Sequence, residues 1–160
     1  MGDDVVYLDY AATSALRPDA VHDAVARYLR DVGATPGRAG HRRAVDAGRV
    51  LFRARRALAA LFNAPGDPGR VTFQLNATHA LNVALLGLLG PGDRVVRTAY
   101  DHNAVRRPVL AQAARGVAQT VLSGDSSGSI DLDEAQTALV GAKVLVIPHA
   151  NNLLGVALPV

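Results

Sequence analysis

Hydrophobic and polar positions along these 160 residues fall into short blocks that alternate between two periods. Val5-Val6-Tyr7-Leu8 is a short extended segment ending at Asp9. Val21, Val25, Tyr28 and Leu29 recur at helical spacing and predict a helix with Pro18 in its first turn, ending near Arg30. Gly33, Pro36, Gly37 and Gly40 mark a loop. A second helix is predicted from about Arg42 to Phe62, with an apolar stripe of Val45, Leu51, Phe52, Leu58, Ala59 and Phe62 and an opposite basic face of Arg49, Arg53 and Arg56.

After the turn cluster Pro65–Gly69, the period shortens. Val71-Thr72-Phe73 predicts a strand, Asn76-Ala77-Thr78 a turn, and His79 to Leu89 a helix. Val95–Thr98 predicts the next strand, followed by a loop at Tyr100–Asn103 and a helix from about Ala104 to Arg115. Gly116 leads into a strand over Ala118–Leu122, and Ser123–Ser129 is a polar loop. Asp131 is placed to cap a helix over Leu132–Leu139. Val144–Ile147 is wholly apolar, as expected of a strand buried on both faces.

Strands that alternate with helices predict an α/β fold, a mainly parallel sheet with flanking helices joined by right-handed crossovers. Ligands in such sheets bind beyond the carboxyl ends of the strands. Three of those ends carry polar clusters: Asn76-Ala77-Thr78, Asp101-His102-Asn103, and His149 with Asn151 and Asn152. All three are expected on one rim.

Each cluster has two readings. Asn76–Thr78 precedes a helix, so free backbone N–H groups and the Thr78 hydroxyl could cradle an anion; equally, Thr78 could satisfy its own helix start. His102 could transfer protons, stack on a planar ligand or bind a metal, or be a solvated loop histidine. The histidines lack metal-ligand spacing, so no metal site is expected. Asn152 could donate to a ligand oxygen or serve as a turn residue. His149 reads as a structural, hydrogen-bonding histidine.

Composition narrows the chemistry. Cys is absent, which excludes from these residues a cysteine nucleophile, a disulfide scaffold and an iron–sulfur ligand set. Apolar residues make up 49% and charged residues 19%, as in a folded, soluble chain. With no signal-like start and no membrane-length apolar run, a cytoplasmic protein without membrane contact is expected. The net charge is +3, and all but one of the 17 basic residues are Arg; Lys143 is the only lysine. Seven Arg between Arg38 and Arg56 face a single Asp46, but without aromatic interleaving they read as a solvated helix face rather than a nucleic-acid site.

Five segments in order resemble the class V aminotransferase family, in its cysteine desulfurase-like branch. They are Tyr7–Thr13, Pro36–Arg42, Phe73–Asn82, Asp101–Pro108 and His149–Gly155. The resemblance implies a fold-type I enzyme dependent on pyridoxal 5′-phosphate (PLP). Carried over, Ala77 and Thr78 match the contacts to the cofactor phosphate, His102 the histidine stacked on the pyridine ring, and Asn152 the donor to the phenolic oxygen. The Asp9–Thr13 and Gly37–His41 segments match loops that help line the active site. Family members usually carry Glu at the positions of His79 and Asp101, and Ser at that of Asn151.

Family members are also much longer. Beyond the position of Val160 they carry an aspartate that pairs with the ring nitrogen, the lysine that holds the cofactor covalently and, in the desulfurases, a mobile cysteine. Residues 1–160 are therefore expected to be the N-terminal portion of an incomplete PLP-transferase large domain, without catalytic residues of its own and inactive alone. Lys143 is expected at the amino end of its strand, away from the rim, so no covalent attachment is expected in this chain. The resemblance implies an amino acid substrate, cysteine in the intact enzyme, and a homodimer when complete. Two alternatives remain: half of a split enzyme, with a separate lysine-bearing half as partner, or a non-catalytic PLP- or phosphate-binding domain.

Overall fold

The computed structural model describes residues 6–158, which divide into two compact units, one up to Thr72 and one from Phe73 onward. Val5 of the extended segment lies outside the described residues, and Val6–Asp9 forms no strand.

The first unit is helical. Helix α1 spans Asp19–Arg27 with Pro18 at its N-cap, one residue outside the first turn expected for it. A π-helical turn at Tyr28–Val32 carries the chain on, and Gly33 ends it in the left-handed conformation (φ 49°), its N–H bonded to the Tyr28 carbonyl at 2.8 Å. The Tyr28 hydroxyl donates to the Ala34 carbonyl at 2.7 Å, which ties the exit loop to the helix.

Helix α2 spans Arg42–Leu61, within a residue of the expected limits. His41 caps it, Nδ1 accepting from the Ala44 N–H at 3.2 Å. Its buried residues are Ala44 and Ala47, not the larger stripe expected from periodicity. Val45 and Phe52 stay about half exposed, and Phe62 is 75% exposed. The nine-residue α1 and the π-helical turn do not cover these side chains.

The second unit holds the sheet. Strand β1 (Arg94–Thr98) lies at its centre, parallel to β2 (Ala118–Leu122) on one side and β3 (Val144–Val146) on the other. The register sets Val95 beside Gln119 and Val144, and Arg97 beside Val121 and Val146. The connection from β1 to β2 contains helix α4 (Asn103–Ala113), and that from β2 to β3 contains α5 (Leu132–Leu139). The two connections run in opposite directions across the sheet, so right-handed crossovers set α4 and α5 on opposite faces.

Helix α3 (Ala77–Leu88) packs with α4. Leu85 and Leu89, from α3 and its end, meet Val105 and Val109 of α4, Val117 and Val95 in one core cluster, with Leu81, Val144 and Val146 against its edge. Each such side chain contributes about 1.5–3 kcal/mol on burial. Gln112 is buried in the same layer and donates to the Leu89 carbonyl at 3.0 Å.

Two expectations fail. Val71–Phe73 is not a strand: a short 3₁₀ turn at Pro68–Arg70 leads into an irregular stretch, because no neighbouring backbone among the described residues pairs with it. Strand β3 is not buried on both faces. Among the described residues no further strand pairs beyond it, and Leu145 is 42% exposed.

The polar loop after β2 is fixed from within. The Asp125 carboxylate accepts from the Ser127 N–H and hydroxyl at 2.8 and 2.6 Å and from the Ser129 N–H at 3.1 Å; the Ser127 hydroxyl bond, chief among these, holds its pKa below the ordinary value. The Tyr100 hydroxyl reaches across to the Asp125 and Ser129 carbonyls at 2.6 and 3.0 Å. Its ring lies over Gly124, where an added methyl group would overlap the phenol. Gly124→Ala is therefore expected to destabilise the chain by about 1–3 kcal/mol, as overpacking does. Urea midpoints of variant and wild type test this, and unchanged midpoints would show that Tyr100 moves aside freely.

Candidate functional site

Thr78 and His102 come from different helix starts and line one cavity of about 220 Å³. Asn76 is the N-cap of α3: its Oδ1 accepts the His79 N–H at 2.8 Å, and its carbonyl takes the Ala80 N–H at 3.0 Å. Asn76, not Thr78, thus satisfies this helix start. Ala77 and Thr78 are the first two helical residues, whose N–H groups have no partner in the helix ladder.

His102 is the N-cap of α4. Its Nδ1 accepts from the Ala104 N–H at 3.1 Å. That bond orients the ring and places the proton of the neutral form on Nε2. The start of α4 also faces the cavity through Asn103, so two helix N-termini converge there.

The other polar walls are Asn82 and Arg107. Sequence reading gave neither a role. The available signal was spacing: Asn82 follows Thr78, and Arg107 follows Asn103, by one helical turn on the same face. Asn82 Nδ2 donates to the Thr78 carbonyl at 2.8 Å. No carboxylate lines the cavity.

Asp101 departs from the expected polar rim. It is only 7% exposed and faces inward, where Oδ2 accepts from the Thr98 N–H at 3.0 Å. Burial pushes its pKa up to about 6, against the lowering effects of the Thr98 hydrogen bonds and the Arg97 charge. Arg97 is itself buried in β1, donating to the Gln119 side chain at 3.2 Å and the Thr98 carbonyl at 3.1 Å.

The third cluster folds into a hairpin of β4 (Ala150–Asn151) and β5 (Val156–Ala157), which the sequence did not suggest. Asn151 is its buried anchor. Nδ2 donates to the Tyr100 carbonyl at 2.8 Å, and Oδ1 accepts from the Leu153 and Leu154 N–H groups at 2.9 and 2.8 Å. Through that bond the loop after β3 is joined to the loop after β1. Asn152 lies exposed in the hairpin turn and does not line the cavity. The His149 backbone carbonyl accepts the Leu158 N–H at 2.8 Å, and no side-chain bond of His149 is found among the described residues.

Lys143 lies at the other end of the sheet. Its N–H bonds to the Arg94 carbonyl at 2.8 Å, at the amino end of β1, and its Nζ pairs with Asp93 Oδ2 at 2.7 Å. The Lys143 hydrogen bond is the chief cause that holds the Asp93 pKa below the ordinary carboxylate value. No cluster of three or more metal-ligating residues, and no helix long and apolar enough to cross a membrane, is found among the described residues.

In the first unit, the Tyr7 hydroxyl donates to the Asp9 and Thr13 carbonyls at 3.1 and 2.9 Å, and the Tyr7 and Tyr10 rings meet edge to face. These bonds shape the Asp9–Thr13 loop.

A parallel α/β sheet flanked by helices, with a cationic, histidine-walled cavity at two helix starts, defines the class of α/β proteins. Within that class, the chain belongs to the aminotransferase class-V family, whose model matches residues 6–160. It is 32% identical over 157 residues to a probable cysteine desulfurase of Pyrococcus abyssi, covering 96% of this chain and 38% of that protein. A probable cysteine desulfurase of Pseudomonas aeruginosa is 36% identical over 162 residues, covering 98% and 40%.

Among solved structures, the apo cysteine desulfurase of Thermococcus onnurineus NA1 superposes with a TM-score of 0.87 at 31% identity, over 97% of this chain and 39% of that one. The structure of SspA in complex with cysteine shares the fold, with a TM-score of 0.81 at 24% identity over 96% and 44%. The chain thus spans about two-fifths of the length of the curated relatives it matches. Its helices and parallel sheet match the corresponding part of the PLP-transferase fold.

The raised pKa of Asp101 predicts a pH dependence. Its folded value, about 6, lies above the ordinary 3.8, so the folded chain holds this proton more tightly than the unfolded chain. The resulting stabilisation is full below about pH 4 and fades as pH rises through about 6. Asp101→Asn keeps an acceptor for the Thr98 N–H and removes that decline. Urea midpoints of both proteins between about pH 4 and 7 are expected to converge at the acid end and separate toward neutrality, the variant being the more stable. Parallel curves would contradict the buried, inward carboxyl.

Proposed function

We propose that this chain supplies the phosphate- and ring-binding part of a PLP-dependent enzyme of the cysteine desulfurase kind, acting on cysteine, and that the covalent lysine comes from outside these 160 residues. The single observation that carries this reading is the shared cavity of Thr78 and His102. It brings a hydroxyl, two helix N-termini and an oriented imidazole to one place.

The residues present fit such a cofactor. Thr78 and the N–H groups at the start of α3 would bind its phosphate, and the capped His102 ring would flank the pyridine. When bound, the cofactor supplies an electron sink for bonds at the substrate's α-carbon. The chain's own contribution is binding and orientation. The His102 ring is held by the Ala104 N–H, so it need not be ordered when the ligand arrives. Asn152, matched to the phenolic-oxygen donor, would have to approach from the exposed hairpin turn.

Lys143 does not fit the covalent role. Asp93 holds its ammonium at the amino ends of the strands, opposite the cavity. A lysine from further along a longer polypeptide, or from a separate chain, would complete the site, and these residues alone would be inactive. The reading treats residues 1–160 as the N-terminal portion of the large domain of a homodimeric enzyme, as the family resemblance implies.

Pyridoxamine 5′-phosphate, which lacks the lysine-reactive aldehyde, is the probe. Calorimetry is expected to show reversible binding to the wild-type chain and about ten-fold weaker binding to Thr78→Ala, the loss of a charge-assisted hydrogen bond. Lys143→Ala is expected to bind within about two-fold of wild type. No binding to wild type, or loss of binding in Lys143→Ala, would overturn the reading.

A further inference from the structure

We infer that Arg107 is the charged anchor for the phosphate in this cavity, an assignment that rests on the proposed cofactor reading and extends it. Arg107 is the only cation among the residues lining the cavity, and no acidic side chain lines it. Among the described residues, no ion pair or side-chain hydrogen bond engages its guanidinium. The nearest carboxyl in sequence, Asp101, is turned away into the protein and held by the Thr98 N–H.

The surroundings favour a negative ligand for a second reason. The cavity lies at the starts of α3 and α4, with 12 and 11 residues, and both present the positive ends of their dipoles. A cation placed beside two helix N-termini is electrostatically unfavourable in the empty protein, and a bound dianion removes that conflict. A guanidinium fork suits the planar O–P–O edge of a phosphate, while the Thr78 hydroxyl and the α3 N–H groups suit its remaining oxygen. Arg106, the adjacent residue, lines no part of the cavity, so the assignment is specific to one of the two arginines.

A substrate carboxylate has related chemistry and is the other source of an anion here. Three ligands separate the cases: pyridoxamine 5′-phosphate, pyridoxamine without the phosphate, and free cysteine. Binding to the 160-residue chain is measured by calorimetry at fixed ionic strength. Arg107→Gln is expected to weaken pyridoxamine 5′-phosphate about ten-fold or more and to leave pyridoxamine within about two-fold. Arg107→Lys is expected to fall between, and its data decide the matter should the Gln variant misfold. Arg106→Gln, with the same change of charge, is expected to bind as wild type.

If Arg107→Gln weakens both pyridoxamine ligands equally, or only cysteine, the phosphate assignment is wrong. If Thr78→Ala weakens pyridoxamine 5′-phosphate and Arg107→Gln does not, the assignment fails while the cofactor reading stands. If the wild-type chain binds no pyridoxamine 5′-phosphate, both fail together.

Discussion

Parallel pairing of β1 with both its neighbours makes all three strands point the same way, and the rest of the second unit depends on it. Every loop that leaves a carboxyl end emerges on one side of the sheet. Every residue that enters a strand sits on the other. The loop that carries Asp101 and His102, the Asp125 turn and the hairpin anchored by Asn151 all share the first side, and the Tyr100 carbonyl and hydroxyl join them. Lys143 and Asp93 share the second. The five residues of β1 separate the two sides by about 16 Å. A lysine fixed at the amino end therefore cannot serve a ligand bound past the carboxyl end without breaking the sheet.

The same topology gives the cavity its electrostatic character. Helices in such folds start where strands end, so their positive ends collect on the ligand side. Here the starts of α3 and α4 meet, and Asn76 and His102 cap them without adding negative charge to the wall. The one carboxyl close by, Asp101, is drawn inward by the Thr98 N–H, and burial favours its neutral form. Arg107 adds the only formal charge among the lining residues. The cavity wall and the scaffold thus share a capping interaction, because the hydrogen bond that starts α4 also orients the His102 ring.

Much of this was legible in the sequence where local rules and tertiary packing agree. Asp131 followed by an apolar-periodic run located α5, the Gly116 turn located β2, and α2 ended within a residue of its expected limit. The polar cluster after β1 pointed to the cavity through His102, whereas Thr78 reaches it from a helix start that no strand precedes among the described residues. The failures have physical causes. Val71–Phe73 has strand composition, but a strand exists only with a partner. Val144–Ile147 is apolar enough to be central, yet Leu145 stays partly exposed, because nothing among the described residues covers it. The stripe on α2 marked a face that these residues do not cover, while only Ala44 and Ala47 of that helix are buried. Asp101 and Asn151 looked like rim residues because they are polar, and instead they satisfy buried backbone groups. Arg107 stood within a recognised segment, but only the packing of α4 against α3 puts it on the cavity wall.

The central claim is that a phosphate-bearing pyridine binds at the starts of α3 and α4, past the carboxyl ends of the strands. Amide chemical-shift mapping of the labelled chain during a titration with pyridoxamine 5′-phosphate tests it most directly. The account predicts the largest, saturable shifts at Ala77, Thr78 and His79 and at His102, Asn103 and Ala104, with little change at Asp93 and Lys143. Shifts centred on Asp93 and Lys143, or none that saturate, would contradict it.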